Sequence, residues 1–223
     1  MLYSPAMRDF VARLHGRLRY GLAMQEILDR LARRGLTFYP YVVYQERADA
    51  RLGPVSAPSS IQARQLTEQD VVQLAGMPER PRSETDIRER LARGNIGVGA
   101  FDKDSIIAYT WCDLDKLSGF GRGSVLRRLE SDEACLADSY TLPAWRGRGI
   151  VLFLRSEVYG AMKAKGRYRL YSVCMYFNRS VRRLKVKVGA REVQLRLSIG
   201  LFGRFKRDLL LKHYPREGRV DPV

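Results

Sequence analysis

Residues 135–166 read CLADSYTLPAWRGRGIVLFLRSEVYGAMKAKG. The pattern predicts a strand that runs through Thr141 and ends at Pro143, a glycine-rich turn over 146–149, and a helix from about Ile150 to Lys163. The first amides of a helix have no intrahelical acceptor and carry positive partial charge, so they attract anions. Glycines at 147 and 149 would let the backbone approach a phosphate without hindrance from a Cβ atom. This order of strand, turn and helix therefore predicts an anion-binding site.

The rest of the chain supplies helices and strands around this stretch. Before it, we predict strands at 61–65, 96–102 and 105–113, helices at 67–77 and 83–93, and a flexible loop at 115–124. After it, we predict a strand at 169–175, a helix that begins at Asn178, and a strand from 191 to 197. The N-terminal part predicts a helix at 5–34, a strand at 36–45 and a linker at 51–60. We therefore divide the chain into an N-terminal extension, residues 1–55, and a main domain, residues 56–223.

Charge is distributed unevenly along the chain. Its 223 residues include 40 Lys and Arg against 24 Asp and Glu, a formal net charge of +16. Residues 143–223 hold 20 of the basic residues and only 5 of the acidic ones, so nearly all of the excess lies in the last third. A bias this strong on one segment predicts a polyanionic partner.

Several classes of protein are disfavoured by the sequence. No apolar run reaches the roughly 18 residues that a membrane-spanning helix needs, and no signal peptide is evident near Met1. The 3 cysteines are odd in number and widely spaced, which disfavours a disulfide scaffold and fits a reducing, cytoplasmic location. His15 and His213 are too isolated for a metal site. We therefore expect a cytoplasmic globular protein with no metal.

Two motifs of this chain resemble those of the GCN5-related N-acetyltransferases (GNAT). The pyrophosphate loop of that family reads Arg or Gln, two residues, Gly, one residue, then Gly or Ala, and Arg146, Gly149 and Val151 occupy these places. A later family segment, N…L-x-x-K-x-G, is similar to the residues at Asn178, Leu184, Lys187 and Gly189. The resemblance covers roughly residues 61–205. It implies an α/β (α+β) fold with a mixed, splayed central sheet flanked by helices, to which the N-terminal helix and strand are an extension.

The resemblance also implies an acyl donor and a place for it. The donor would be acetyl-CoA or another acyl-CoA, or an acyl carrier protein, bound through pantetheine and pyrophosphate. Ser139, Thr141 and Leu142 would line the pantetheine arm, and Asn178 would lie near the thioester. The pyrophosphate would bind the backbone amides of the loop, with help from the side chain of Arg148; the residues concerned are Arg146, Gly147, Arg148, Gly149, Ile150 and Val151.

The catalytic residues are less clearly indicated. Family enzymes often place a general base in the strand before the loop, where Asp138 is the only carboxylate and Tyr140 the only ring hydroxyl. We therefore predict Asp138 and Tyr140 as catalytic residues, with Asp138 as the base and Tyr140 as an acid or a packing residue. The family's usual general acid, a Tyr in the later helix, is replaced by Lys185, for which we expect a solvent-facing or phosphate-facing side chain. Lys185 could act as the acid itself only if burial lowered its pKa.

These observations predict an acyltransferase that moves an acetyl or longer acyl group to an amine. The acceptor stays open between an amine-bearing small molecule and an aminoacyl group. The surplus of positive charge exceeds what coenzyme A needs, so an acidic carrier protein or a tRNA is a further expected partner. The alternative is a basic tRNA-binding protein on the same scaffold with weak or no acyl transfer. An anionic membrane is a third option for the basic segment at 203–213.

Overall fold

A computed structural model describes residues 22–53, 58–78, 80–120 and 124–215. The chain divides into two compact units. The terminal unit comprises Met1–Tyr44, Gly119–Ser124 and Val173–Val223, and the central unit comprises Gln45–Ser118 and Val125–Ser172. The predicted helix at 5–34 lies partly outside the described residues, as do 54–57 of the linker. The predicted boundary near residue 55 stays a prediction.

The described residues form five α-helices and ten strands. The helices are α1 Leu22–Arg33, α2 Val71–Ala75, α3 Glu84–Ala92, α4 Ile150–Ala164 and α5 Arg179–Lys187. The strands are β1 Leu36–Arg47, β2 Ile61–Gln65, β3 Ile96–Asp102, β4 Ser105–Asp113, β5 Lys116–Ser118, β6 Val125–Arg128, β7 Glu133–Thr141, β8 Arg169–Met175, β9 Arg191–Leu201 and β10 Phe205–His213. Short 3-10 turns precede α2 at Glu68–Asp70 and α4 at Pro143–Trp145.

The sheet of the central unit has the strand order β8-β7-β4-β3-β2. β7 and β8 pair in parallel, and the other neighbours pair antiparallel, so the sheet is mixed, as expected, and most of its pairings are antiparallel. The predicted flexible loop at 115–124 is wrong at its start, because β5 pairs with β6 in a small second sheet. Its residues 121–123 lie outside the described part of the chain.

Two apolar clusters pack on this sheet. One joins β3, β4 and β7 to α4 through residues such as Val98, Leu154 and Met162. The other joins the sheet to α2 and α3 through Leu66, Leu74, Ile87 and Trp111. Gly97 and Gly99 in β3 let the second cluster approach closely, since a Cβ atom there would lie 2.8 and 2.7 Å from the side chain of Leu66. The alternation of Gly with Ile, Val and Ala at 96–100 thus leaves room for Leu66 and for the ring of Phe101 on the glycine face of β3.

A buried ion pair crosses the core of the central unit. Glu46, at the end of β1, has no exposed side-chain surface and pairs with Arg155 of α4 at 3.3 Å. The hydroxyl of Tyr159 donates a hydrogen bond to the same carboxylate. Burial and the charge of Glu46 both raise the pKa of Tyr159, so the phenol remains a proton donor in this network. Arg155 is 6% exposed, so its charge depends on Glu46 for compensation.

The terminal unit contains α1, α5 and a sheet with the order β10-β9-β1-β8. Arg182 of α5 binds Glu192 at 2.9 Å, and the hydroxyl of Tyr44 donates to the same carboxylate. Arg196 of β9 binds Asp208 of β10 at 2.6 Å. The strand β10 was not predicted as a strand, and most of its side chains are exposed. No helix in the described ranges is both long and apolar enough to cross a bilayer.

The substitution Glu46→Ala tests the buried pair. It leaves the guanidinium of Arg155 buried without its carboxylate, and we expect a loss of about 3–5 kcal/mol in the free energy of unfolding. Asp49→Ala is the matched control, because Asp49 pairs with Arg47 on the surface, where such pairs contribute about 0–1 kcal/mol. Urea unfolding followed by circular dichroism measures both. Equal losses for the two variants would contradict the structural role of Glu46.

Candidate active site

A β-bulge interrupts β7 at Asp138. Ser139 lies opposite Thr110 of β4 and Ala137 lies opposite Trp111, so Asp138 has no counterpart on β4. The φ angle of Asp138 is +46°, in the left-handed region that few residues other than glycine adopt. The bulge inserts one residue into the strand, and so it changes which backbone groups face β4 on either side of it.

After the bulge, one edge of β7 exposes alternate backbone groups. The amide of Leu142 donates to the carbonyl of Ile107 on β4 at 2.9 Å, so Leu142 and Tyr140 direct their backbone groups toward β4. Ser139 and Thr141 therefore direct their N–H and C=O groups to the opposite edge. The pairing of β7 with β8 covers Glu133–Leu136 opposite Arg169–Ser172 and ends there. Ser139, through both backbone groups, and Thr141, through its N–H, are thus placed to pair with an extended ligand, while the carbonyl of Thr141 accepts from Arg146.

The turn after β7 contains a row of backbone donors. Gly147 and Gly149 have φ angles of 77° and 78°, a conformation that glycine adopts at low cost. Within the described residues, no acceptor is found for the amides of Gly147, Arg148, Gly149, Ile150 or Val151. The predicted turn and helix start are both confirmed, with α4 beginning at Ile150. The buried side chain of Ile150 fixes this first turn in the core.

Two arginines stand beside the row of amides. Arg146 donates from Nε to the carbonyl of Thr141 at 3.1 Å, and its guanidinium lies 5.7 Å from the ring centre of Tyr140. The guanidinium of Arg148 lies 5.1 Å from the ring centre of Trp145. Both side chains are exposed, so their charges add to the positive partial charge of the helix start. The turn is suited to a pyrophosphate or another compact anion.

Asp138 is the centre of an arginine cluster. Its carboxylate is bound by Arg80 at 2.5 Å, by Arg82 at 2.9 Å and by Arg90 at 2.9 Å. The Asp138 side chain is only 8% exposed, whereas the three arginines are 25–39% exposed. Arg80 and Arg82 come from the segment between α2 and α3, and Arg90 comes from α3. Both oxygens of the predicted base are therefore engaged by guanidinium groups.

Tyr140 connects this cluster to the turn. Its hydroxyl donates to the carbonyl of Pro78 at 2.8 Å. The guanidinium of Arg80 lies 5.8 Å from its ring centre, about as far as that of Arg146. The two residues predicted as catalytic, Asp138 and Tyr140, are thus brought together with the turn in one unit.

Asn178 and Lys185 belong to the terminal unit. The side chain of Asn178 accepts a hydrogen bond from the amide of Val181 at 3.1 Å and caps α5. Lys185 is 2% exposed, so the expectation of a solvent-facing side chain is wrong. The sequence did not predict this burial, because Lys185 is a basic residue in a helix with few apolar residues.

The three cysteines are consistent with structural roles. Burial raises the pKa of Cys112 to about 12 and that of Cys174 to about 11, which suppresses the thiolate form of both. Cys135 is also buried. Among the described residues, no three His, Cys, Asp or Glu side chains meet as a metal site would require.

The sequence did not reveal Arg80, Arg82, Arg90 or Tyr109 as site residues. Tyr109 of β4 lies opposite Tyr140 and is 2% exposed. Burial and then the charge of Asp138 raise the pKa of Tyr109, while the nearby arginines act in the opposite direction. The only local sign was a pair of arginines around a proline just before a helix start, a pattern too common to mark a site.

Several solved structures with a similar fold are described as acetyltransferases. A putative GNAT-family acetyltransferase from Novosphingobium aromaticivorans matches with a TM-score of 0.50 and 22% identity over 74% of this chain and 64% of its own. A GCN5-related N-acetyltransferase from Sphaerobacter thermophilus matches with a TM-score of 0.50 and 16% identity over 83% of this chain and 55% of its own. A GNAT-family acetyltransferase from Colwellia psychrerythraea matches with a TM-score of 0.52 and 13% identity over 75% and 58%.

These similarities show that the chain has the GNAT fold. The matches span between 55% and 64% of the length of the three acetyltransferases. No protein-family model and no curated protein matches the chain at a significant level. The fold class expected from the two motifs is confirmed, and the activity rests on the site itself.

The substitution Gly147→Ala tests the geometry of the turn. A Cβ atom at this position would meet nothing within 4 Å, so any cost comes from the backbone conformation alone. We expect a loss of about 1–2 kcal/mol in the free energy of unfolding, since L-residues disfavour this φ region. Gly160→Ala, also unhindered but inside α4, should instead gain about 0.5–1 kcal/mol. Urea unfolding compares them, and a stabilised Gly147→Ala variant would contradict the described turn.

Proposed function

We propose that this chain is an N-acyltransferase that takes an acyl group from a pantetheine thioester and transfers it to an amine. One observation carries the proposal. Five consecutive amides at residues 147–151, for which the described part of the chain supplies no acceptor, follow a strand whose edge presents the N–H and C=O of Ser139 and the N–H of Thr141. A diphosphate attached to an extended amide-containing arm matches this arrangement, because the anion meets the amides while the arm pairs with the strand edge.

The residues present fit an acyl-CoA. The pyrophosphate would bind at the amides of residues 147–151, with Arg148 beside them. Ser139 and Thr141 would pair with the pantetheine, whereas the amide of Leu142 is already used by Ile107. The exposed side chain of Val151 leaves its own amide available to a ligand. The donor supplies an activated thioester, and the protein supplies the orientation of that thioester.

The proton chemistry is assigned to Tyr140, and Asp138 is assigned a positioning role. The Tyr140 hydroxyl donates to Pro78, which fixes its orientation and leaves its lone pairs able to accept a hydrogen bond from an incoming amine. Asp138 has both oxygens bound by arginines, so a proton transfer to it would break at least one ion pair. We therefore propose that Asp138 holds the arginines, and that its role as general base is the competing prediction.

The excess of basic residues in the last third of the chain bears on whether the acyl group comes from coenzyme A or from a carrier protein. In α5, Arg182 is bound to Glu192 and Lys185 is buried, so this helix exposes less charge than its sequence indicates. Arg204, Lys206, Arg207 and Lys212, in the turn before β10 and in β10 itself, are exposed. These four residues are the proposed contact for an acidic carrier protein, and a tRNA is the alternative occupant of the same residues.

Acetyl-CoA binding is the direct test. We expect calorimetry to detect binding by the wild type and by Gly160→Ala, and at least about tenfold weaker binding by Gly149→Ala, a change of about 1.4 kcal/mol. The reason is that a Cβ atom at residue 149 displaces the turn from its left-handed conformation. The same titration is repeated with an acyl-loaded carrier protein and with tRNA, at low and high salt. It distinguishes which of the two binds the exposed basic residues at β10. If no pantetheine thioester binds, the proposed function is wrong.

Two variants separate the proposed roles of Tyr140 and Asp138. Tyr140→Phe should lower kcat by about 10²–10⁴-fold, because it removes the hydroxyl to which proton transfer is assigned. Asp138→Asn should instead raise the KM of the amine acceptor and leave the pH profile of kcat in place. Steady-state assays of thiol release across pH measure both. Loss of kcat and of its acidic limb in Asp138→Asn would show that Asp138 is the base.

A further inference from the structure

A small cavity adjoins the arginine cluster in the central unit. It is lined by apolar side chains of Leu74, Ile87 and Trp111, and its volume is about 10 Å³. That is roughly the space taken by one water molecule, or by one oxygen atom of a larger ligand. Arg82, Arg90, Tyr109 and Asp138 supply its polar lining, together with Asp86. The cavity therefore combines an apolar floor with several charged groups.

Two buried donors at this cavity have no acceptor. Neither Nε of Arg82 nor the hydroxyl of Tyr109 meets strict hydrogen-bond geometry with an acceptor among the described residues, although both atoms are inaccessible to solvent. The Arg82 guanidinium lies near enough to interact with the Tyr109 oxygen, and the phenol proton then still lacks an acceptor. A buried donor without a partner costs about 1–3 kcal/mol, so two on one cavity indicate that something accepts from them in the working protein. The raised pKa of Tyr109 keeps the phenol protonated at neutral pH, which makes it a donor to that ligand.

The charges around the cavity favour a monoanion. Arg80 binds Asp138 from outside the cavity, so three guanidinium groups stand against the two carboxylates of Asp86 and Asp138. One positive charge remains, which a single carboxylate would neutralise. The residues that carry the two donors line a space of about one oxygen atom, which admits one oxygen of a planar carboxylate more readily than the bulkier tetrahedral phosphate.

We propose that this pocket, formed by Arg82, Arg90 and Tyr109, binds a carboxylate group of the amine acceptor. The substrate class is then an amino acid or another amine that carries a carboxylate close to its nitrogen. The inference rests on the proposed function, because it assumes that the acceptor is acylated beside β7.

The position of the pocket along β7 supports this assignment. Asp138 lies three residues before Thr141, about 10 Å along a strand. Tyr140 lies between them, in contact with Arg80 of the cluster and with Arg146 of the turn. A carboxylate held near Asp138 would therefore place an adjacent amine near the Tyr140 hydroxyl and the strand edge assigned to the donor.

A titration without any acyl donor tests the pocket independently of activity. The full chain, labelled with carbon-13 in its tyrosine rings, is titrated with N-acetylglycine and with its uncharged counterpart N-acetylglycinamide. We expect the Tyr109 signal, assigned by its loss in Tyr109→Phe, to shift and saturate with the acid but not with the amide. The signal of the exposed Tyr168, assigned with Tyr168→Phe, is the internal control.

Arginine variants make the test specific. Arg82→Lys removes the Nε donor but keeps the charge, and it should weaken binding of the acid at least tenfold. Arg88→Lys, on the exposed side of α3, should leave the affinity unchanged. Equal shifts with acid and amide, or an unchanged affinity in Arg82→Lys, would overturn the proposal and leave a water molecule as the occupant of the cavity.

Activity assays separate this proposal from the proposed function. With acetyl-CoA as donor, we expect glycine and glutamate to have at least tenfold lower KM values than their α-amides in the wild type, and this preference to be reduced in Tyr109→Phe. Transfer to acids and amides alike would refute the carboxylate pocket while supporting the acyltransferase. Binding of N-acetylglycine without any thiol release would support the pocket and refute the acyltransferase.

Discussion

The β-bulge at Asp138 is the constraint on which the candidate active site depends. In an uninterrupted β7, the N–H and C=O groups of successive residues would face the two edges of the strand in strict alternation from Glu133 to Thr141. The extra residue shifts that phase, so that Ser139 and Thr141 face the edge where the parallel pairing with β8 has ended. The left-handed backbone of Asp138 disfavours this arrangement locally. Three ion pairs to its carboxylate compensate for that strain.

The central unit uses arginine in several similar clusters. Glu133 is bound by Arg127 and Arg169 and is 2% exposed. Burial by itself would raise the pKa of Glu133, but its hydrogen bonds with Arg127 and with the backbone keep that pKa below its usual value. Each cluster joins segments distant in sequence through a planar guanidinium that forms several directed hydrogen bonds. The cluster at Asp138 differs because it borders a cavity where two buried donors have no partner among the described residues.

Pairing and burial of basic side chains also change what the basic composition implies about a partner. The sequence predicted a polyanionic partner for the last third of the chain. The structure gives Arg182 and Arg196 acidic partners and buries Lys185, while Arg204, Lys206, Arg207 and Lys212 remain exposed. The net charge is unchanged by these pairings, but fewer basic groups are available to a partner, and one group of them lies at β10.

The sequence by itself determined the local parts of the site. The turn conformation at Gly147 and Gly149, the start of α4 and the row of free amides follow from residues close together in the chain, because helix starts and glycine-dependent turns are short-range structures. Only the tertiary structure decided the surroundings of Asp138. Its partners Arg80 and Arg90 are 58 and 48 residues away, and their approach depends on how α2 and α3 pack on β4. The sequence could therefore place an anion beside the helix, whereas the role of the strand carboxylate depends on charges that only folding brings to it.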